Sequence, residues 1–211
     1  MTSRNPWLDV KASEYEGHMG HAKVAQLEFL SRIFAQVLGE LKPSALAVPG
    51  SAMGTGFEHI DPAISKRILA LDINPEYLEI LDARYGDNLP GLELACADLS
   101  QVTTDTASFD MIFAALVFEY LPPGPTLEKF ASWLRPDGSL CSILQLPGSG
   151  QLSVSNTPFS GVKILEPILN LVDPGAFKSQ ASGFGLKLVD EHVHRLASGK
   201  EFHVGRFIKQ G

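Results

Sequence analysis

The sequence has few of the features that mark several large classes of protein. It contains only two cysteines among 211 residues, which argues against a disulfide-stabilised scaffold and favours a reducing compartment. Its longest uninterrupted apolar run, Met111–Phe118, is far shorter than the roughly 20 residues that a membrane-spanning helix needs. The N-terminal segment lacks an apolar stretch of signal-peptide length. We therefore expect a cytoplasmic protein with no membrane partner.

Positive charge is also scarce. The 17 Lys and Arg residues are outnumbered by 24 Asp and Glu residues, so the formal net charge is -7. Nucleic-acid-binding domains normally have a basic excess, so no nucleic-acid partner is expected. The charged fraction of 19% and the hydrophobic fraction of 45% are ordinary for a globular protein. A chain of this length can bury one sizeable core, and residues 1–211 are predicted to form a single domain.

Apolar runs alternate with helical patterns along most of the chain. This alternation predicts an α/β fold with a mostly parallel sheet and helices on both faces. A turn at residues 197–200 is too short for a parallel crossover, so the last two strands should form an antiparallel hairpin. Strands are predicted at 45–48, 67–73, 92–97, 111–116, 139–146, 186–196 and 201–209. Helices are predicted at 21–41, 75–85, 127–134 and 162–172 and after Asp173.

A glycine-rich loop, Pro49–Gly56, follows the first predicted strand. Its three glycines have no Cβ, so they let the chain turn tightly and approach a ligand closely. A tight strand-to-helix turn without any ligand would use the same residues, so the loop alone leaves both interpretations open. The three glycines are Gly50, Gly54 and Gly56.

Two acids follow the second and third predicted strands. The carboxylate of Asp72 can accept hydrogen bonds from both hydroxyls of a ribose. Asp98 can accept one from the exocyclic amine of adenine, while the backbone beside it contacts the ring edge. Alternatively, either acid could be an exposed strand-end residue, and Asp72 could cap the next helix. Asn74 already fits that capping role, which favours a ligand for Asp72.

In this order and spacing the segments resemble a class I S-adenosylmethionine (SAM)-dependent methyltransferase over roughly residues 22–211. The resemblance implies a Rossmann-like seven-stranded sheet, SAM as cofactor and methyl transfer by in-line displacement. Further matching features are Phe109–Ala115, Leu134–Leu140, Gly183-Phe-Gly185 and the terminal hairpin. The cofactor contacts that it implies are Gly50, Ser51, Gly54, Gly56, Asp72, Ile73, Asp98 and Leu99.

The chain departs from this family at the end of its first strand. Family members usually carry an acid there and a compact Gly-x-Gly-x-Gly, and Val48–Gly56 has neither. Ser51, the carbonyl of Gly50 or an N-terminal residue is expected to replace the acid's contact to the methionine amino group. The departure also supports an alternative, a SAM-binding or dimerisation module without catalysis. An NAD-dependent oxidoreductase would suit Asp72 but is disfavoured by Asp98 and the hairpin.

Candidate catalytic residues follow the fourth strand, where the resemblance places methyl transfer. Glu119 could bind the SAM amino group, orient the acceptor or act as a general base, and Tyr120 lies beside it. The apolar residues before Glu119 predict a raised pKa for its carboxyl. An N-terminal lid, residues 1–21, should fold over SAM with Tyr15 and His18 in contact with cofactor or substrate.

An insertion at residues 147–172, called the roof below, is predicted to cover the active site together with the lid. Its apolar residues favour a small organic molecule as the methyl acceptor. No metal is expected, because His18 and His21 have no evident third ligand. The sequence leaves a homodimer open, and it predicts that His192 and His194 face solvent. The apolar roof residues are Phe159, Leu165, Ile168 and Leu169.

Overall fold

The strands form where the apolar runs predict them. The computed structural model describes residues 4–148 and 154–211. In these residues the strands are β1 (Ala45–Pro49), β2 (Arg67–Asp72), β3 (Leu92–Cys96), β4 (Phe109–Ala115), β5 (Leu134–Gln145), β6 (Leu186–Arg195) and β7 (Glu201–Lys209). They form one sheet in the order β3-β2-β1-β4-β5-β7-β6. The first five strands are parallel to one another, and β7 pairs antiparallel with both β5 and β6.

Helices on both faces connect the strands, and their ends follow the predicted capping signals. The Asn74 side chain accepts a hydrogen bond from the Glu76 N–H at 3.1 Å, and Asp173 accepts one from Ala176 at 2.8 Å. The helices are α1 (Ala12–Gly20), α2 (Gln26–Leu41), α3 (Pro75–Tyr85), α4 (Pro123–Trp133) and α5 (Pro174–Gly183). Short 3₁₀ segments occupy Pro6–Asp9, Phe57–His59 and Ser160–Ile168. No helix in the described ranges is both long and apolar enough to cross a bilayer.

Two hydrophobic cores lie on opposite faces of the sheet. Successive side chains of β1 alternate between them, since Leu46 packs in one core and Ala47 in the other. The first core includes Phe34 of α2, and the second includes Phe130 of α4. Burial on both faces explains why the central strands are continuous apolar runs in the sequence.

The N-terminal region differs from the prediction. The helix predicted from His21 begins only at Gln26, because residues 21–25 form a turn that ends with Ala25 at a positive φ of 52°. Residues 12–20, for which no helix or strand is predicted, form α1. The three buried residues of this helix, Ala12, His18 and Met19, do not form an apolar stripe of helical period, so hydrophobic periodicity could not predict it.

The roof also differs from the prediction. A helix was expected over 162–172, but the chain forms a 3₁₀ segment at Ser160–Ile168. Pro167 lies inside it, and proline lacks the N–H that a longer helix would need. Residues 149–153 of the roof and 1–3 of the lid lie outside the described residues.

Two smaller expectations are corrected at strands. β5 begins at Leu134 rather than at the predicted residue 139, and Asp137 takes a positive φ of 64° inside it. Cys96 is exposed because β3 is an edge strand, whereas Cys141 on β5 is buried. His194 does not simply face solvent, since its ring stacks on Phe29 at 4.7 Å between centroids.

Candidate functional site

A cavity of about 180 Å³ lies at the carboxyl ends of the parallel strands. The chain passes from β1 to β2 on one side and reaches β4 on the other, so the sheet order reverses beside β1. Ligands of open α/β sheets bind at such reversal points. The residues that line the cavity come from the strand ends, the lid and the roof. The fold thus brings together the three regions that the sequence singled out.

The glycine-rich loop approaches the cavity at its first glycine. Gly50 lines the cavity with a φ of +66°, and a Cβ there would lie 2.9 Å from a methyl carbon of Val117. The N–H groups of Gly50 and Ser51 donate to the carbonyl of Leu71 at 2.8 and 3.1 Å, which fixes the turn. The Ser51 side chain does not line the cavity, and its buried Oγ has no hydrogen-bond partner among the described residues.

The other two glycines are not brought to the cavity. Gly54 has a φ of +81° and faces Tyr85, and Gly56 has a φ of +88° and faces Phe34. A Cβ at either position would come within 2.8 Å of these rings. Their lack of a side chain therefore allows the loop to pack against α3 and α2. The geometry gives them a role in shaping the loop, away from the cavity wall.

Asp72 lies at the end of β2 and is 8% exposed. Its Oδ1 accepts from the Asn74 N–H and its Oδ2 from the Ala52 N–H, both at 2.9 Å. Each oxygen keeps a further lone pair for a ligand. Burial raises the pKa of this carboxyl to about 6. The helix cap is Asn74, so the alternatives of an exposed or capping Asp72 are excluded by its position in the cavity wall.

The end of β3 lies beside Asp72, because β3 pairs with β2 and Cys96 is the partner of Asp72 in the register. Asp98 follows two residues later and lines the same cavity with Ile73 and Leu99. Asp98 Oδ1 accepts from the Ser100 N–H at 2.8 Å, which holds its side chain. Two carboxylates from adjacent strands thus border one end of the cavity with apolar side chains between them.

The lid lies across this end of the cavity. Asn74 donates to the carbonyls of Trp7 and Val10 at 3.0 and 3.1 Å, and the Tyr77 hydroxyl also donates to Val10 at 2.9 Å. An ion pair between Glu16 and Arg84 ties α1 to α3. Asn74 therefore joins the cap of α3, the Asp72 carboxylate and the lid into one hydrogen-bonded unit.

Both lid residues named from the sequence line the cavity. Tyr15 packs against Tyr77 with ring centroids 5.6 Å apart, and burial raises the pKa of its hydroxyl. His18 is 5% exposed, and its Nδ1 lies 3.0 Å from the Thr157 hydroxyl in the roof. Burial lowers the pKa of His18 to about 4, so this imidazole is neutral at physiological pH.

Glu119 is one of the most deeply buried acids of the chain, with 2% exposure. Its Oε1 accepts from the backbone N–H of Gln145 at 2.6 Å. Its Oε2 is buried without a hydrogen-bond partner in the described part of the chain. Burial raises the pKa of this carboxyl to about 7, as the apolar approach predicted. A carboxyl with one unused oxygen at a cavity wall can bind a ligand donor or accept a proton.

Tyr120 and the roof close the other end of the cavity. The Tyr120 ring contacts Trp7 with centroids 4.9 Å apart, and the backbone carbonyl of Glu119 accepts from Asn170 at 2.8 Å. These contacts join the segment after β4 to both lid and roof. Roof residues that line the cavity are Val154, Val162, Leu165, Ile168 and Leu169. Phe159 does not, because its ring packs on Gly17 of α1.

Sequence reasoning missed several residues of the cavity wall. Trp7 and Tyr77 come from the lid and α3, and the polar residues are Gln26, Gln145 and Lys200. Gln145 ends β5, so the strand-end rule could have found it. Lys200 precedes β7, whose first residues lie at the carboxyl edge because β7 runs antiparallel to β5. No group of three or more potential metal ligands occurs within the described ranges.

The site fits a nucleoside-bearing cofactor on three observations. Gly50 provides a close backbone approach that a Cβ would fill. Asp72 and Asp98 follow adjacent strands and line the cavity, where their carboxylates can accept hydrogen bonds from a ligand. The buried Glu119 Oε2 in the cavity wall lacks a partner among the described residues, as expected for an atom that a bound ligand would satisfy.

Comparison with known proteins agrees with this geometry. Residues 49–142 match the family model described as a methyltransferase domain. The fold is similar to the N-methyltransferase NodS from Bradyrhizobium japonicum in complex with S-adenosyl-L-homocysteine (SAH), with a TM-score of 0.68, 17% identity and 88% coverage of each chain. It also resembles phosphoethanolamine N-methyltransferase 2 from Haemonchus contortus, solved with SAM, with a TM-score of 0.73 and 13% identity. That match covers 99% of this chain and 59% of the other.

A third similar structure has another activity. The [4+2]-cyclase SpnF matches with a TM-score of 0.65 and 12% identity, covering 85% of this chain and 81% of its own. These identities are low, so the structural likeness establishes the fold and leaves the acceptor open. No curated protein sequence matches the chain.

Proposed function

Since this chain carries a class I SAM-dependent methyltransferase domain, we propose that it transfers the methyl group of SAM to a small-molecule acceptor. The observation that carries the proposal is one continuous cavity. It joins the strand ends at Asp72 and Asp98 to Glu119 and the apolar roof. A cofactor on the first group and an acceptor beside the second would share a space closed by the lid.

The cofactor would be held mainly by the ends of β1, β2 and β3. Asp72 would accept hydrogen bonds from the ribose hydroxyls with the lone pairs that its backbone contacts leave free. Asp98 would accept one from the adenine amine, with Ile73 and Leu99 against the ring. Gly50 would face the methionine part. The Ser51 side chain lies outside the cavity wall, so the Gly50 carbonyl or a lid residue is the candidate replacement for the acid that the first strand lacks.

SAM supplies a methyl group that is already activated on a sulfonium. The protein's task is therefore to position the acceptor atom and exclude water. Trp7, Tyr15 and Tyr120 form an aromatic cover that excludes solvent. Glu119 can receive a proton at Oε2 when the acceptor atom carries one, since its raised pKa of about 7 suits proton transfer near neutrality. Tyr120 would orient the acceptor beside it.

The size and lining of the acceptor region support a small molecule. Lid and roof residues line the cavity, and the net charge of -7 gives the chain no basic excess for a nucleic-acid acceptor. Two of the similar structures are N-methyltransferases, one of which is named for phosphoethanolamine, a small molecule. The second candidate function is SAM binding without methyl transfer, which the missing first-strand acid favours.

Calorimetric titration with SAH, NAD and NADP is the first test. We expect SAH to bind in the micromolar range, and neither dinucleotide to bind. The variant Asp98→Asn should bind SAH more weakly. Asp190→Asn, on the exposed part of β6, is the matched control and should bind SAH as the wild type does. Formation of SAH from SAM in the presence of small-molecule acceptors then separates the two candidates. Binding of SAH without turnover on any acceptor would favour the module, and binding of NAD alone would overturn both.

A further inference from the structure

The side chain of Lys200 lies in the wall of the cavity and is only 5% exposed at the residue level. It is the one Lys or Arg residue buried to this degree in the part of the chain that the structure describes. Its backbone carbonyl accepts from the Leu196 N–H at 2.8 Å and closes the hairpin turn. The side chain of Lys200 places a cationic hydrogen-bond donor in the wall of the cavity, where a ligand can reach it.

The position of Lys200 along the sheet separates it from the cofactor residues. Lys200 precedes β7, and Phe202 of β7 pairs with Gln145 at the end of β5. Since strands lie about 4.8 Å apart, β7 is about 10 Å from β4 and about 19 Å from β2. Glu119 follows β4 and Asp72 ends β2. Lys200 therefore borders the acceptor end of the cavity, on the far side of Glu119 from the ribose position.

The neighbours of Lys200 make this end polar. Gln145 ends the strand that pairs with β7, and His18 is close enough to Lys200 for the ammonium to contribute to its lowered pKa. Both residues line the cavity. Burial lowers the pKa of Lys200 to about 8, so the side chain is still mostly protonated at neutral pH. The same cavity is bordered by the apolar roof residues Leu165 and Ile168.

We propose that Lys200 binds an anionic group of the methyl acceptor, so that the acceptor is an organic acid with an apolar body. A buried ammonium attracts an anion far more strongly than an exposed one, because little water screens the pair. The apolar part of the acceptor would lie against the roof, with the atom to be methylated near Glu119. This inference rests on the proposed function, because it takes the β4–β5 end of the cavity as the acceptor site.

The test uses matched pairs of ligands that differ in charge but share an apolar body. Phenylacetate and 3-phenylpropionate are titrated against the SAH-saturated protein beside their uncharged amides, and phenyl phosphate beside phenol. We expect at least one anion to bind about tenfold more tightly than its neutral partner. Because carboxylates and a phosphate are tested separately, the same titrations show which type of anion the site prefers. Equal affinities within every pair, or no binding of any anion, would overturn the proposal without any variant.

Variants assign the preference to Lys200. Lys200→Met should remove the tenfold preference, and Lys200→Arg should largely restore it, because it keeps the charge. Lys187→Met, on the exposed part of β6 in the same hairpin, is the matched control. An anion preference that survives in Lys200→Met would overturn the inference.

SAH affinity distinguishes the possible failures. It should stay within about twofold in all three variants, because Lys200 lies beyond the cofactor residues. A loss of about tenfold in Lys200→Met alone would mean that the lysine binds the cofactor's own carboxylate. Absence of SAH binding in the wild type would instead refute the proposed function. Anion binding without turnover of any acid would refute methyl transfer and leave the anion site in place.

Discussion

The two ends of the cavity are built in different ways. The end assigned to the cofactor consists of residues that directly follow adjacent strands, such as Asp72 and Asp98, with their carboxylates tied to nearby backbone N–H groups. The end assigned to the acceptor gathers side chains from α1, β5, the roof and the turn before β7. The first is defined by local order along the chain. The second exists only after distant segments have packed together, so it can vary without disturbing cofactor binding.

A substitution at Glu119 tests whether this residue accepts a proton from the methyl acceptor and does not bind the cofactor. We expect Glu119→Gln to lower methyl transfer by about a hundredfold for an acceptor that must lose a proton, because the amide cannot accept it. SAH affinity should change little, since Gln can still accept from the Gln145 N–H. Turnover and calorimetry on the same preparation check both statements. A large loss of SAH affinity would place Glu119 in the cofactor end instead.

The cofactor end is tested most directly at Asp72. Asp72→Ala should weaken SAH by about 1.5–3 kcal/mol, or ten- to a hundredfold, because a charged acceptor of two hydrogen bonds is lost. Binding of the acid–amide pairs described above should keep its charge preference. Calorimetry with a folded variant, verified by circular dichroism, gives the answer. An unchanged SAH affinity would refute the ribose assignment.

Binding of SAH at the cofactor end should weaken as the pH falls. The pKa of Asp72 is raised from 3.8 to about 6 by burial, so the carboxylate gains a proton as the pH falls through this value. Ribose hydroxyls donate to the ionised form, so SAH affinity should fall by about tenfold between pH 7 and pH 5. Lowering the pH further should continue the decline. Asp72→Asn should bind weakly but with a flat profile, and a flat wild-type profile would contradict the prediction.

Substitution in the lid at Glu16 is expected to have the smallest effect on SAH affinity. The Glu16–Arg84 ion pair ties α1 to α3, but both side chains are partly exposed, so water and salt screen the attraction. Glu16→Gln should weaken SAH by less than about threefold, in line with the 0.2–1 kcal/mol typical of surface pairs. Asn74→Ala, which removes the buried anchors to Trp7 and Val10, should cost more. Equal effects of the two changes would mean that the lid is held in another way.

Much of the cofactor end was predictable. The ends of apolar strands, the Asn74-Pro75 cap and the Gly50 turn follow from residues near one another in sequence, and the structure has them where they were expected. The positions of Gly54 and Gly56 were not predictable, because a ligand-facing glycine and a glycine that packs against a ring have the same local signature. Only the positions of Tyr85 and Phe34 distinguish the two.

The sequence by itself determined the order of strands and helices, the parallel sheet with its terminal hairpin, and the acids at the ends of β2 and β3. These depend on side-chain periodicity and capping, which act over a few residues. Only the tertiary structure decided that α1 covers the cavity, that Glu119 holds the Gln145 N–H, and that Lys200 is buried beside Gln145. Burial and the pKa shifts that it causes depend on which distant segments exclude water from a side chain, and no local pattern records that.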